Sequence, residues 1–93
     1  MKKKIFKYQI NIYDETLFFA PSDFELFHIG EQNGVIVAWG TVEVDDVGSA
    51  VHNNKEIRLC IRGTGHLFRG NEGKHIKTVQ MPDGLVWHIF WRL

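Results

Sequence analysis

Apolar residues recur at every second position through most of this chain, and no stretch sustains the three- and four-residue spacing of a long amphipathic helix. Period two puts alternate side chains on opposite faces of a strand, so a chain written this way has little choice but to form sheets. Phe6, Tyr8, Ile10 and Ile12 fall on one face of the first segment, and Lys7, Gln9 and Asn11 on the other. Asp14-Glu15 breaks the pattern, and Thr16 to Ala20 reads as a short extended piece before Pro21. Ser22-Asp23-Phe24-Glu25 has capping-box spacing. With Gly30 close behind, it predicts at most one helical turn.

Gln32-Asn33-Gly34-Val35 is the clearest turn, because Asn and Gly both tolerate the positive φ of a two-residue type I′ hairpin loop. Pairing outward from Gln32 and Val35 sets His28 opposite Trp39 and Ile29 opposite Ala38. On that register Phe27, Ile29, Ile36 and Ala38 face the core. Leu26, His28, Val37 and Trp39 make a second face too apolar to be left simply wet.

A polar loop over residues 45–54 precedes a sharply alternating strand with Ile57, Leu59 and Ile61 inward and Glu56, Arg58, Cys60 and Arg62 outward. It ends at Gly63-Thr64-Gly65-His66. A second loop over residues 69–74 leads to a strand from His75 to Met81, and Pro82-Asp83-Gly84 makes a turn. The last segment, Leu85 to Leu93, is apolar on both faces, as expected of a strand central in a sheet or at a subunit interface. The expectation is all-β, mostly antiparallel: one domain over residues 1–93, a small β-sandwich or partly closed barrel with few or no helices.

Composition narrows the function. Eleven Lys/Arg balance eleven Asp/Glu in 93 residues, which argues against polymeric nucleic acid as a partner. No segment approaches the roughly 20 apolar residues of a membrane span, and Met1-Lys2-Lys3-Lys4 lacks the apolar run that would make it a signal sequence. A soluble, intracellular protein with no membrane partner is expected. Cys60, the one cysteine, excludes an intrachain disulfide and reads as a small half-buried filler.

Gly63-Thr64-Gly65-His66 is the most suggestive local feature, since two glycines let backbone N–H groups converge on an anion. Arg58 and Arg62 on the preceding strand add bidentate phosphate donors; solvated arginines at a strand end are the plainer account. Of the five histidines none has zincin or H-x-H spacing, so no metal and no cofactor are expected. The carboxylates, Glu72 among them, cluster in or beside turns and read as solvated. Neither Ser22 nor Ser49 has a nucleophile context, so no catalytic residue is assigned. Tyr8 and Trp39 are candidates to stack on a planar base, against core or interface packing for each.

Ala38-Trp39, Gly63-Thr64-Gly65-His66, Thr78-Val79-Gln80 and Leu85-Val86-Trp87-His88-Ile89-Phe90 together resemble a family of small phage-encoded proteins. Phe6-Lys7-Tyr8 and Pro21 match more weakly. The resemblance extends to the fourth group of anti-CBASS proteins, phage sponges that bind cyclic dinucleotides and withhold them from host defence effectors. It implies a homo-oligomer, a tetramer, that works in the host cytoplasm and sequesters 3′,3′-cyclic GMP–AMP or a related signal without cleaving it. Ligand contacts are then expected from Arg58, Arg62, Thr64, Gly65 and His66, with Trp39 and Tyr8 stacking. The ending Trp91-Arg92-Leu93 departs from the shorter endings of that family. Two rivals stand beside the sponge: a protein–protein inhibitor or accessory protein docking through the Trp39 face and the last strand, and a small enzyme with His66 or His88 as general base.

Overall fold

In the computed structural model, which describes residues 2–92, seven strands follow one another: β1 (Lys2–Ile10), β2 (Glu15–Pro21), β3 (Glu25–Gln32), β4 (Val35–Val44), β5 (Asn54–Gly63), β6 (Lys74–Gln80) and β7 (Val86–Arg92). They form two sheets, β1-β4-β3 and β2-β5-β7-β6, with every pairing antiparallel. The two sheets stay separate rather than closing on themselves, so of the two architectures expected the sandwich is the one formed. Among the described residues no helix is long and apolar enough to cross a membrane.

The core is the layer between the sheets. Ile29, Ile36, Val42, Leu59, Ile61 and Ile89 are fully buried there, and each lies on the inward side of an alternating strand. Tyr8 joins them, with its ring centroid 5.3 Å from Phe18 and 5.4 Å from Phe24. The last strand is central, between β5 and β6. Its inward side chains Trp87 and Trp91 pack against the core around Ile89.

The predicted hairpin forms as read. Asn33 and Gly34 have φ of 53° and 83°, and Glu31 Oε2 accepts from the Gly34 N–H at 2.6 Å. His28 pairs with Trp39 and Ile29 with Ala38. The register then slips, with Leu26 opposite Gly40, so Phe27 is the extra residue of a β-bulge. The slip reverses the expected faces: Phe27 is 58% exposed, and Leu26 packs against the core. No helical turn forms at Ser22–Glu25. Phe24 N–H donates to the Pro21 carbonyl at 2.8 Å, and Asp23 Oδ2 accepts from the Glu43 N–H at 2.7 Å.

One connection shapes the outer surface. β5 and β6 lie on either side of β7, so the chain from Thr64 to Gly73 must cross β7. The inner side is occupied by the core, and the crossing runs over the outer face. Phe68 packs on Phe90 there, with ring centroids 5.4 Å apart. Gly73 has φ of 100° and passes so close to the Trp91 carbonyl that a Cβ has no room.

Ile89→Ala is expected to lower the free energy of unfolding by about 2–5 kcal/mol, and Phe27→Ala to change it by no more than about 0.5 kcal/mol. Urea denaturation of the two variants measures both. Equal losses would place Phe27 in the core and overturn the bulged register.

Candidate functional site

The outer face of the four-stranded sheet is built in rows by the strand register. Leu17, Arg58 and Arg92 form one row; Glu15, Cys60, Phe90 and His75 the next; Arg62, His88 and Thr78 the one after. All four arginines of the chain lie on this face or in the loop over it: Arg58, Arg62 and Arg92 on strands and Arg69 in the loop. The lysines of β1, by contrast, belong to the other sheet.

Arg62 is locked into the fold. Its Nε donates to Glu72 Oε2 at 3.1 Å, and its Nη1 to the Asp14 carbonyl at 2.7 Å. The Arg62 side chain is 12% exposed and that of Glu72 not at all, so Glu72 is not the solvated turn residue its neighbourhood predicts. Its carboxylate also accepts from the backbone N–H groups of Arg69 at 2.8 Å and Gly70 at 2.7 Å. Burial pushes its pKa up, but these backbone bonds and the Arg62 guanidinium outweigh that and hold it below the ordinary glutamate value. Under the same loop Cys60 is fully buried rather than half-buried. Burial pushes its thiol pKa up; the Arg62 charge opposes the shift and the Glu72 charge adds to it.

Arg58 and Arg92 are more open. Arg58 pairs with Glu56 on its own strand, and Arg92 with Glu15 on β2. They sit directly opposite each other and line a cleft of about 420 Å³ that also includes Asn11, Tyr13 and Leu17. Tyr13, at its rim, is two-thirds exposed. Beside it, sharing Glu15, a concavity of about 800 Å³ is lined by Asp14, Arg62, His66, Leu67 and Arg69. Among the described residues the Arg69 guanidinium has no carboxylate partner.

Thr64 belongs to a line of hydrogen bonds. Its Oγ1 lies 2.9 Å from His88 Nε2, His88 Nδ1 lies 3.0 Å from Thr78 Oγ1, and that hydroxyl lies 2.9 Å from His75 Nε2. The line holds a hydroxyl against an imidazole but contains no carboxylate to stabilise an imidazolium. His66 turns the other way, with Nδ1 accepting from the Gly63 N–H at 3.2 Å and its ring edge-on to Trp87.

The seven residues expected at one site therefore separate. Arg58, Arg62, Thr64, Gly65 and His66 occupy β5 and the corner after it. Tyr8 lies between the sheets, and burial raises its pKa. Trp39 packs against His28 on the outer side of the three-stranded sheet, across the whole sandwich from the arginines. The sequence assigns no role to Tyr13, Arg69, Arg92, His75 or Thr78, and offers His88 only as a general base. The Thr78–His88 pairing carries no signal until β6 and β7 are in register.

Over residues 1–93 the chain matches a family model described as a domain of unknown function, DUF7352. No curated protein and no solved structure matches it.

Because its folded pKa is lowered, Glu72 contributes stability that is full above the ordinary glutamate range and is lost as pH falls from about 5 toward the lowered value. Glu72→Gln is expected to lower the melting temperature at neutral pH and to flatten this acid limb. Melting temperature followed against pH checks it; an unchanged acid limb would show that Glu72 does not titrate with folding.

Proposed function

The chain belongs to the DUF7352 family, whose description assigns no activity, and from its own geometry we propose that it is a binding protein that sequesters a small dianionic nucleotide signal of the cyclic dinucleotide class without cleaving it. The observation that carries this reading is the gathering of every arginine on one face of a chain with zero net charge. Arg58 and Arg92 hold exposed carboxylates that a phosphate can displace at little cost, since exposed ion pairs are worth only about 0–1 kcal/mol. A guanidinium fork offers phosphate two parallel hydrogen bonds. Tyr13 supplies an exposed aromatic face at the rim of the same cleft, and Arg69, with no carboxylate partner among the described residues, supplies a cation in the concavity beside it. A neutral chain with a local cluster of arginines favours a compact anion over a long polyanion.

On this reading the protein acts as a homo-oligomer in the cytoplasm of a phage-infected host, and the uptake of ligand uses no metal or cofactor. Arg62 orders the loop, and ligand contacts come from Arg58, Arg92 and Arg69; the corner after β5 offers no anion nest, because the Thr64 and His66 N–H groups donate to the Val86 and Gly63 carbonyls. A protein–protein inhibitor is the second reading. It is favoured by Leu17 and Phe19, which are exposed on the outer side of β2, and by Leu67 and Phe68 on the loop.

A thermal-shift panel of cyclic dinucleotides tests the first reading. A ligand at 100 times its dissociation constant is expected to add about 2.7 kcal/mol of apparent stability. The Arg58→Ala, Arg92→Ala double variant is expected to abolish the shift, and Trp39→Ala to retain it. Denaturing the complex should release the ligand intact. Recovery of cleaved ligand would make the protein an enzyme, with Thr64 and His88 as the pair to examine. A flat panel would favour the protein-partner reading.

A further inference from the structure

Two of the chain's crossings between the sheets meet at one place, at the end of the sandwich where β4 stops. The turn from β2 to β3 and the loop from β4 to β5 are joined there by a hydrogen bond from the Ser22 N–H to the Asn53 carbonyl at 2.8 Å. Beside that bond lie Asp23 from the turn, Glu43 from β4 and His52 from the loop, each with one ligand atom within 4.8 Å of the others. We propose that these three side chains bind a divalent transition-metal cation, zinc in the first instance, which clamps the two crossings together.

The three side chains are held by backbone contacts of their own segments. Glu43 N–H donates to Asp23 Oδ2 at 2.7 Å. The loop folds back on β4 through the Val44–Ala50 bridge and through the Val51 N–H to the Glu43 carbonyl at 3.3 Å. Asp45 Oδ1 accepts from the N–H groups of Val47 and Ser49 at 3.0 and 2.9 Å, which gives the turn between them a fixed shape. His52 is thereby returned to Glu43, with Nε2 3.6 Å from Oε1.

An independent observation points to a missing partner. Asp23 Oδ1 is buried and accepts no hydrogen bond, the one side-chain atom among the described residues in that condition. A buried carboxylate oxygen without a donor is costly, and a cation bound beside it removes that cost. One pair, His52 and Glu43, has nearly the spacing the ion needs, and Asp23 offers an atom within 4.8 Å of both. Metal–ligand bonds of about 2.0–2.1 Å in a tetrahedron put ligand atoms about 3.3–3.4 Å apart, close to the 3.6 Å between His52 and Glu43. Two carboxylates balance a 2+ charge. The imidazole selects against calcium and magnesium, which prefer all-oxygen sets, and in favour of zinc and its neighbours. Three protein ligands leave a fourth position for water.

Purified full-length protein stripped with a chelator and then titrated with zinc tests the assignment, with no nucleotide present. One zinc per chain and a rise in melting temperature are expected, with far smaller rises from calcium or magnesium. His52→Ala, in the exposed loop, and Asp23→Asn are each expected to weaken zinc by more than the roughly 10–100-fold typical of losing an outer partner of a metal ligand. His75→Ala and His88→Ala are expected to bind as the parent does. Should Asp23→Asn fail to fold, His52→Ala and cobalt substitution, read by visible d–d absorption that His52→Ala removes, decide the matter alone. An absent zinc response, a response unchanged by His52→Ala, or one lost in His75→Ala or His88→Ala would overturn the proposal. None of these outcomes bears on the arginine cleft, which lies on the outer face of the four-stranded sheet.

Discussion

The buried pair of Arg62 and Glu72 organises the outer face of the four-stranded sheet. The order β2-β5-β7-β6 obliges the chain between β5 and β6 to cross β7 on its outside, where its aromatic contact is that of Phe68 with Phe90. A loop laid over such a face needs a polar anchor. Glu72 provides it by accepting from Arg62 on β5 and from two N–H groups of the loop itself. A buried ion pair contributes little net stability when whole, yet removing one partner is strongly destabilising because the other charge is left unpaired. Arg62 also reaches the Asp14 carbonyl, so one side chain ties together β5, the loop and the link before β2.

That anchor divides the arginines by role. Arg62 is spent on structure, and the burial of Cys60 and the contact of Phe68 with Phe90 follow from the loop it holds. Arg58 and Arg92 lie beyond the loop's cover with exchangeable partners. Zero net charge is thus a sum of local pairings rather than an absence of charge chemistry. Cations are unevenly shared: four of the seven lysines lie on β1, Lys55, Lys74 and Lys77 lie on the four-stranded sheet, and every strand arginine is on the outer face of β5 or β7. Lysine is a point charge and arginine a planar fork, so only that outer face is suited to bidentate recognition of phosphate.

At the far end of the sandwich the same economy recurs. Two inter-sheet crossings run side by side, and their polar groups are shared: Ser22 with Asn53, and Asp23 with Glu43. Ser22 and Glu25 have capping-box spacing, yet no helical turn forms there, and the Asp23 carboxylate between them accepts from an N–H on β4. A side chain that can cap locally or across space goes where the backbone donor would otherwise be orphaned.

Alternation of apolar residues determined the all-β class and the inward face of β5, because a period of two leaves one face to bury whatever the topology; a last segment apolar on both faces left β7 either central or at an interface, and the sheet order made it central. Asn33-Gly34 determined one hairpin and its register by demanding positive φ. Tertiary structure decided the rest. The bulge that turns Phe27 out and Leu26 in depends on packing against β4, and a one-residue slip reverses faces without any mark in composition. The burial of Glu72 depends on the crossing over β7, which follows from strand order and not from the polarity of residues 69–74. Trp39 and Arg58 look equally available along the chain, yet they lie on opposite outer surfaces because their strands belong to different sheets. Asp23, Glu43 and His52 share no motif spacing. They meet only because two crossings do, and that is a property of topology.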